Sequence, residues 1–340
     1  MAPFPAKMET PESDRKLLEV QGLRTYFFTR YGVAKAVDGV SFFVRNGETL
    51  GIVGESGCGK SVTALSIVRA LPEPAGKIVG GTILFEGRNL LDLSEAEMCR
   101  LRGSRIGTIL QDPLTSLDPV FSIGSQVAEP LRWHQRMSGA RLRERVLQLL
   151  REVRISAPEV RAGEYPHQMS GGMRQRIVGA MAIACAPQLL VADEPTTALD
   201  VTIQAQFLDL LADLKESHGL AMILITHDLG VVGRVCDRVA VMYGGRIVET
   251  GSVEETLTRP AHPYTQALVG SVPRIGKRTD ELYAIEGQPP DVRRLPPGCT
   301  FHPRCRHAFA RCREEYPPAK DLGAGHETNC WLHLGQSHDR

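Results

Sequence analysis

The segment GESGCGKS at residues 54–61 constrains the fold of this chain more than any other. It matches the pattern G-x-x-x-x-G-K-S/T, and it stands between a strand-like apolar run at residues 49–53 and a helical pattern that begins at Ser61. Glycines let the backbone curl so that successive N–H groups point inward, and the amino end of a helix adds a positive dipole. The segment therefore predicts a loop that holds the phosphates of a nucleoside triphosphate. The alternative is a chance glycine-rich turn, and the flanking strand and helix weigh against it.

Two side chains of this loop have the chemistry that a nucleotide needs. Lys60 would reach the β- and γ-phosphates, and the hydroxyl of Ser61 would bind Mg²⁺. Cys58 occupies a variable position, where a tolerated small side chain is favoured over a redox switch, although a helix amino end lowers the pKa of a thiol. The predicted nucleotide-binding residues of the loop are Gly54, Glu55, Ser56, Gly57, Cys58, Gly59, Lys60 and Ser61.

Polar residues follow two short apolar runs that are typical of buried parallel strands. Asp193 and Glu194 come directly after the run at residues 189–192, and His227 follows the run at residues 221–225. A buried sheet would bring these side chains to its carboxyl edge, beside the phosphate loop. Asp193 suits the Mg²⁺ shell, and Glu194 suits the polarisation of an attacking water. His227 could hold the γ-phosphate and that water, although a lone histidine is more often structural.

The remaining periodicity indicates an α/β fold. Residues 17–53 alternate apolar and polar side chains in short runs, which predicts β-structure, and residues 140–155 place apolar side chains at helical spacing. Strands that alternate with helices imply a sheet with right-handed crossovers. After about Arg259 proline and glycine become frequent, which marks the boundary of a small carboxy-terminal module.

Four cysteines lie in this module, separated by five, six and seventeen residues. Four soft thiolates could bind Zn²⁺ or an iron–sulfur cluster, and four free thiols are the third alternative. The paired C-x2-C knuckles of zinc ribbons are missing, which lowers the case for zinc. The candidate ligands are Cys299, Cys305, Cys312 and Cys330.

The charge balance and hydropathy exclude several classes of protein. The net charge of +1 offers no global attraction to nucleic acid or to anionic membranes. No signal-peptide pattern and no apolar run of about 18 residues is seen, so we expect a cytosolic chain that meets a membrane only through a partner.

The ordered motifs resemble an ABC-type ATPase cassette. The phosphate loop is followed by Gln111, similar to the Q-loop, and by MSGGMRQR at residues 169–176, similar to the signature motif. Residues 193–196 resemble the Walker B segment, residues 198–200 the D-loop, and His227 the switch histidine. The resemblance implies a RecA-like core with an antiparallel β subdomain and a helical subdomain at about residues 92–178. The cassette would span residues 17–258 and the carboxy-terminal module residues 259–340.

The resemblance also implies roles for single residues. Gln111 would sense Mg²⁺ and the γ-phosphate, and Glu194 would be the catalytic base, with His227 beside it. An early aromatic residue would stack on adenine; Phe27 is chosen by spacing, and its competitors are Tyr26, Phe28 and Tyr31. The residues expected to bind the γ-phosphate of a facing subunit are Ser170, Gly171 and Gly172.

The signature with methionine at both ends is similar to that of the ATPases of peptide and nickel importers. This branch implies import of oligopeptides or dipeptides and a 4Fe–4S cluster at the four cysteines. Its expected partners are a second, homologous cassette in a heterodimer, two transmembrane permeases and, indirectly, an extracytoplasmic binding protein, so the chain would lie at the cytoplasmic face of the cell membrane. A soluble ABC ATPase acting on nucleic acid or ribosomes is the alternative. A GTPase switch is disfavoured because no N/T-K-x-D segment is present.

Overall fold

The computed structural model describes residues 15–110, 116–197, 199–272 and 285–334. Its strands form two sheets, a four-stranded sheet in the order β2-β1-β4-β5 and an eight-stranded sheet in the order β11-β12-β10-β9-β3-β8-β7-β6. The strands are β1 (Lys16–Thr29), β2 (Gly32–Arg45), β3 (Thr49–Val53), β4 (Gly76–Phe85), β5 (Arg88–Asn89), β6 (Ile106–Ile109), β7 (Leu189–Asp193), β8 (Ala221–Thr226), β9 (Arg238–Tyr243), β10 (Arg246–Ser252), β11 (Lys320–Asp321) and β12 (Glu327–Thr328).

The larger sheet is parallel in its centre and antiparallel at one edge. Strands β9, β3, β8, β7 and β6 pair in parallel, whereas β10, β12 and β11 continue the sheet in antiparallel pairs. Every residue of β3, β7 and β8 is buried. Strands covered on both faces read as continuous apolar runs, which is why residues 189–192 and 221–225 could be recognised as parallel strands.

Helices lie between these strands and along the carboxy-terminal part of the chain. The segment expected to be an amphipathic helix is confirmed as Gly139–Glu152, which buries Leu142, Val146, Leu149 and Leu150. The helices are α1 (Lys60–Ile67), α2 (Glu95–Leu101), α3 (Ile123–Gln135), α4 (Gly139–Glu152), α5 (Pro158–Arg161), α6 (Gly171–Ile183), α7 (Val201–His218), α8 (Leu229–Val235), α9 (Val253–Thr258), α10 (Pro263–Gly270) and α11 (Ala310–Glu314).

The core consists of three buried clusters. One packs α3, α4, α6 and α7 against the larger sheet, and a second fills the space between the two sheets and α1. The third joins β9 and α8 to the carboxy-terminal residues Phe301 and Trp331 and includes Cys299 and Cys312. The carboxy-terminal segment, which comprises residues 259–272 and 285–334 of the described chain, is therefore packed against the cassette.

A buried carboxylate also connects this segment to the sheet. Glu249 of β10 is fully buried, and its carboxylate accepts hydrogen bonds from the backbone N–H groups of Ala261 (2.8 Å) and His262 (2.7 Å). The Nε2 atom of His326 lies 2.7 Å from the same carboxylate. One side chain thus links β10, the start of α10 and the β11–β12 hairpin. In the part of the chain that is described, no helix has the length and apolar character needed to cross a membrane.

Replacing Glu249 by alanine should weaken the whole structure. The change leaves His326 and two backbone donors without their buried acceptor, so we expect the free energy of unfolding to fall by about 3–5 kcal/mol. Urea denaturation followed by circular dichroism measures it. The exposed Glu254→Ala, two residues from β10, is the matched control; a Glu249→Ala variant as stable as this control would contradict the assignment.

Candidate functional site

The backbone of the phosphate loop runs close to two neighbouring strands. A Cβ atom on Gly54 would lie 2.1 Å from the carbonyl oxygen of Met242, and one on Gly59 would lie 2.1 Å from the carbonyl oxygen of Ala36. Gly59 also has a φ angle of +108°, a backbone conformation that residues with a side chain rarely adopt. The glycines at both ends of the motif are required because the loop has no space for a side chain at either position.

Lys60 and Ser61 begin α1 at the end of this loop. The Lys60 ammonium donates to the carbonyl oxygens of Gly54 (2.7 Å) and Glu55 (3.0 Å), so it lies across the loop that would hold phosphates. The Ser61 hydroxyl donates to Asp193 Oδ1 over 3.1 Å. The structure therefore brings the predicted lysine, hydroxyl and first carboxylate together.

The Asp193 carboxyl is in an unfavourable environment for its charged form. Burial raises the pKa of Asp193; the hydrogen bond from Ser61 opposes this rise, and the charge of Glu194 adds to it. A divalent cation beside Asp193 and Ser61 would offset the cost of burying the carboxylate. The donor set, a carboxylate and a hydroxyl, consists of the hard oxygen ligands that Mg²⁺ prefers.

Glu194 and His227 meet at the same edge of the sheet. His227 Nδ1 lies 3.4 Å from Glu194 Oε1, and the Thr197 hydroxyl donates to Glu194 Oε2 over 2.8 Å. Glu194 has φ 45, a left-handed conformation that is uncommon for a residue with a side chain, and its N–H donates to the carbonyl of Ile225 in β8. This conformation turns the chain directly after β7 while keeping one bond to the sheet.

The signature residues line a different cavity. Ser170 caps α6, and its hydroxyl accepts a hydrogen bond from the Met173 N–H. A cavity of about 400 Å³ is lined by Ser170, Gly171 and Gly172 together with Arg154, Ser156, Arg176, Asp200 and other residues, none of them from the phosphate loop. Within the described chain, therefore, the two predicted phosphate-binding elements do not form one pocket.

The four aromatic candidates for the adenine contact differ in exposure. Phe27 is half-buried and lies against Gly76, and the Tyr26 hydroxyl donates to Asp38 over 2.8 Å. Phe28 is 47% exposed, and Tyr31, in the turn between β1 and β2, is 68% exposed. Stacking needs a free ring face, and the Arg30 guanidinium lies over one face of Tyr31, 4.6 Å from the ring centroid. Tyr31 therefore competes with Phe27 through one face only, and the assignment of Phe27 stays a prediction.

Two further predictions concern Gln111 and Cys58. Gln111 lies outside the described residues. Cys58 is buried in the loop, 3.9 Å from the Lys60 ammonium, and burial raises the pKa of its thiol. A buried, protonated thiol favours the tolerated small side chain over the redox switch.

The four carboxy-terminal cysteines are all described and none forms a disulfide. Cys299, Cys312 and Cys330 are buried and Cys305 is half-buried. Burial raises the pKa of Cys299 to about 11 and that of Cys330 to about 12, and neighbouring thiols contribute to both rises. Among the described residues, no three ligating side chains lie close enough to hold a single metal ion.

Sequence reasoning missed two residues that contact the phosphate loop. Arg304 forms a bidentate ion pair with Glu55, and the Tyr264 hydroxyl accepts a hydrogen bond from the Glu55 N–H. Both come from the carboxy-terminal part of the chain. Neither residue stands in a sequence pattern that indicates nucleotide binding.

Comparison with known proteins supports the cassette fold. Residues 37–197 match the ABC transporter family model, and residues 248–312 match the model of the oligopeptide/dipeptide transporter C-terminal region. A solved structure titled as the dimeric post-hydrolysis state of the ATP-binding cassette MJ0796, bound to ADP and Pi, aligns with a TM-score of 0.63 and 27% identity, covering 69% of this chain and 98% of that one. The expected architecture, an ABC-type cassette with an added carboxy-terminal module, is confirmed.

Curated relatives align over nearly the whole chain. The sequence is 55% identical over 322 residues to the "Probable peptide ABC transporter ATP-binding protein y4tR" of Sinorhizobium fredii, covering 94% of this chain and 96% of that protein. It is 50% identical over 317 residues to the "Dipeptide transport ATP-binding protein DppD" of Bacillus subtilis, covering 93% of this chain and 95% of that protein.

Gly59→Ala should destabilise the nucleotide-free protein. The added Cβ would meet the carbonyl oxygen of Ala36, so the loop or β2 must shift, and we expect the melting temperature to fall by several degrees. Gly57→Ala is the matched control, because Gly57 also has positive φ but has open space around its Cα. Differential scanning fluorimetry compares the two; equal melting temperatures would show that the close approach to Ala36 is unimportant.

Proposed function

The chain belongs to the ABC transporter ATP-binding proteins that carry the oligopeptide/dipeptide transporter C-terminal region, and we propose that its ATP hydrolysis energises the import of oligopeptides or dipeptides. The observation that supports this proposal most directly is the meeting of Lys60, Ser61, Asp193 and Glu194 at one edge of the parallel sheet. The named peptide transport proteins that align over the whole chain support the substrate class. They give no support to the alternative of an ATPase acting on nucleic acid.

The proposed chemistry divides the work among the residues at the sheet edge. The N–H groups of the loop and Lys60 bind the phosphates, which requires Lys60 to leave the carbonyls of Gly54 and Glu55. Ser61 and Asp193 would hold Mg²⁺ with Gln111, and the ion would neutralise charge that develops on the phosphates. Glu194 acts as the base that polarises the attacking water, and His227 holds it in place. Phe27 is proposed to stack on adenine, with Tyr31 as its competitor.

The position of the signature residues supports a two-subunit site. Ser170, Gly171 and Gly172 line a cavity of their own with Arg154, Arg176 and Asp200, and no residue of this chain's phosphate loop lines it. The two guanidinium groups would bind a phosphate there once Arg154 leaves its ion pair with Asp213. We therefore propose that these three residues complete the ATP site of a second, homologous cassette. The corresponding signature residues of that cassette would complete the ATP site at the phosphate loop of this chain. Two permeases and an extracytoplasmic binding protein would complete the importer, with this chain on the cytoplasmic side of the membrane.

We further propose that the four carboxy-terminal cysteines hold a 4Fe–4S cluster. The set fits such a group because all four are thiols, three are buried, and neighbouring thiols affect one another's ionisation. The paired C-x2-C spacing of zinc ribbons is missing from this set, which lowers the case for Zn²⁺ at the same four thiols. Its role would be to stabilise a small proline-rich fold.

Variants of the proposed catalytic and signature residues test whether each ATP site is formed by two subunits. In the reconstituted importer, Lys60→Ala and Glu194→Gln should lower turnover at this chain's own site by about a hundredfold or more, because phosphate binding or base catalysis is lost. Ser170→Arg should instead damage the site whose phosphate loop belongs to the partner. Single-turnover hydrolysis, with the partner's own Walker B glutamate changed to glutamine to silence one site at a time, separates the two effects.

The exposed Glu216→Gln on α7 is the control and should retain normal turnover. Full activity of an isolated monomer would contradict the two-subunit site. ATP hydrolysis by the wild-type importer without any uptake of oligopeptides or dipeptides would contradict the substrate class.

The cysteine proposal predicts about four iron atoms and about four acid-labile sulfides per chain after anaerobic purification. Cys305→Ser should remove most of the iron and the visible absorbance, whereas Cys99→Ser, an exposed cysteine outside the module, should leave both unchanged. Metal analysis and absorbance spectra measure this. Zinc without iron in the wild-type protein would refute the cluster.

A further inference from the structure

The carboxylate of Glu55, inside the phosphate loop, is held by a residue far along the chain. Arg304 Nη1 donates to Glu55 Oε2 over 2.6 Å, and Arg304 Nη2 donates to Glu55 Oε1 over 3.0 Å. The Arg304 side chain is only 6% exposed, and that of Glu55 is 24% exposed. Because the pair is bidentate and mostly shielded from water, it is stronger and more specific in direction than a surface ion pair.

The guanidinium of Arg304 is itself fixed by the carboxy-terminal segment. Its Nε donates to the carbonyl of Glu286 over 2.9 Å, Nη2 donates to the carbonyl of Ile285 over 3.2 Å, and Nη1 donates to the Tyr243 hydroxyl over 3.2 Å. With these three bonds and the two to Glu55, all five N–H donors of the side chain are used. Arg304 thus forms a rigid bridge between the carboxy-terminal segment and the phosphate loop.

A second contact holds the backbone of the same residue. The Glu55 N–H donates to the Tyr264 hydroxyl over 2.9 Å, and Tyr264 is fully buried. Its ring packs against Tyr243 and Phe301 with centroids 4.5 and 5.4 Å apart. The Tyr264 N–H is bonded to Nδ1 of His262, which can accept because burial lowers the pKa of His262 to about 3 and keeps the imidazole neutral. The hydroxyl therefore stands in a fixed position.

The charge of Glu55 explains why such a restraint matters. A carboxylate inside a loop that receives several phosphate charges repels them unless a cation compensates it. Arg304 supplies that cation and turns the carboxylate toward the carboxy-terminal segment. Tyr264 at the same time fixes the direction of the first N–H after Gly54, so that the loop keeps its shape when it is empty.

We propose that the carboxy-terminal segment positions the phosphate loop for the nucleotide, with Arg304 neutralising Glu55 and Tyr264 fixing its backbone. The inference rests on the proposed role of the loop in binding ATP. Arg304 and Tyr264 are positioning residues, since they act through Glu55. Because coupling between sites is reciprocal, a nucleotide in the loop also stabilises the turn at residues 302–304, which directly precedes Cys305.

The test compares Mg-ATP affinities of full-length variants by isothermal titration calorimetry. Arg304→Met should raise the Kd about tenfold, because the Glu55 carboxylate is left uncompensated in the loop. The double variant, Arg304→Met with Glu55→Gln, should have a Kd within about threefold of the wild-type value, because the charge that repels the phosphates is gone. A simple loss of folding would not be rescued by this second change. Arg293→Ala, which breaks an exposed ion pair with Asp291 in the same segment, is the control with unchanged affinity.

Tyr264→Phe provides an independent arm that keeps the buried ring and removes only the hydroxyl. We expect its Kd to rise about threefold, the effect of one lost hydrogen bond, and the melting temperature without nucleotide to fall by no more than a few degrees. If the Arg304→Met protein does not fold, the Mg-ATP Kd of Tyr264→Phe decides whether the positioning role is correct.

Lys60→Ala separates the inference from the function on which it rests. If Lys60→Ala abolishes Mg-ATP binding while Arg304→Met and Tyr264→Phe bind like the wild type, the positioning role is wrong and the nucleotide site stands. If the Arg304→Met and double variants are equally weak, the neutralisation of Glu55 is wrong. If Lys60→Ala binds Mg-ATP normally, the proposed role of the loop itself is refuted.

Discussion

The parallel register of three central strands determines where the chemistry of this protein lies. Val53 of β3 is paired with Thr226 of β8, and Ile225 of β8 is paired with Asp193 of β7. Because neighbouring parallel strands end at the same edge, the residues that follow them must meet there. Gly54, Glu194 and His227 are each the first residue beyond their strand. Hydrogen bonds between buried backbones, and not the loops themselves, thus assemble the site.

The same feature explains what could be predicted from the sequence. Strands β7 and β8 are covered on both faces, so they appear as uninterrupted apolar runs followed by polar residues, and α4 carries its apolar side chains at helical spacing. Each of these patterns involves residues that are close in sequence, so the strands and the helix could be recognised without the structure. The phosphate loop was recognisable because its glycines meet a steric demand, the close approach to Met242 and Ala36, that few other sequences satisfy.

The contacts of the carboxy-terminal segment could not be predicted in this way. Proline and glycine break its periodicity, so the sequence indicated only that a module begins near Arg259. Glu249 with His326 and Glu55 with Arg304 are pairs of residues distant in sequence, and nothing in their local surroundings indicates a partner. A buried glutamate or arginine is rare without a partner, but the sequence does not show which charged residues are buried. The β11–β12 hairpin, which extends the main sheet beside β10, was missed for the same reason.

The phosphate loop is consequently restrained on two sides by different parts of the chain. On the inside, the carbonyls of Met242 and Ala36 limit it to glycine at both ends, and Lys60 bonds to the loop's own carbonyls. On the outside, Arg304 and Tyr264 hold Glu55. A loop so restrained loses little further conformational freedom when phosphate binds, which favours affinity.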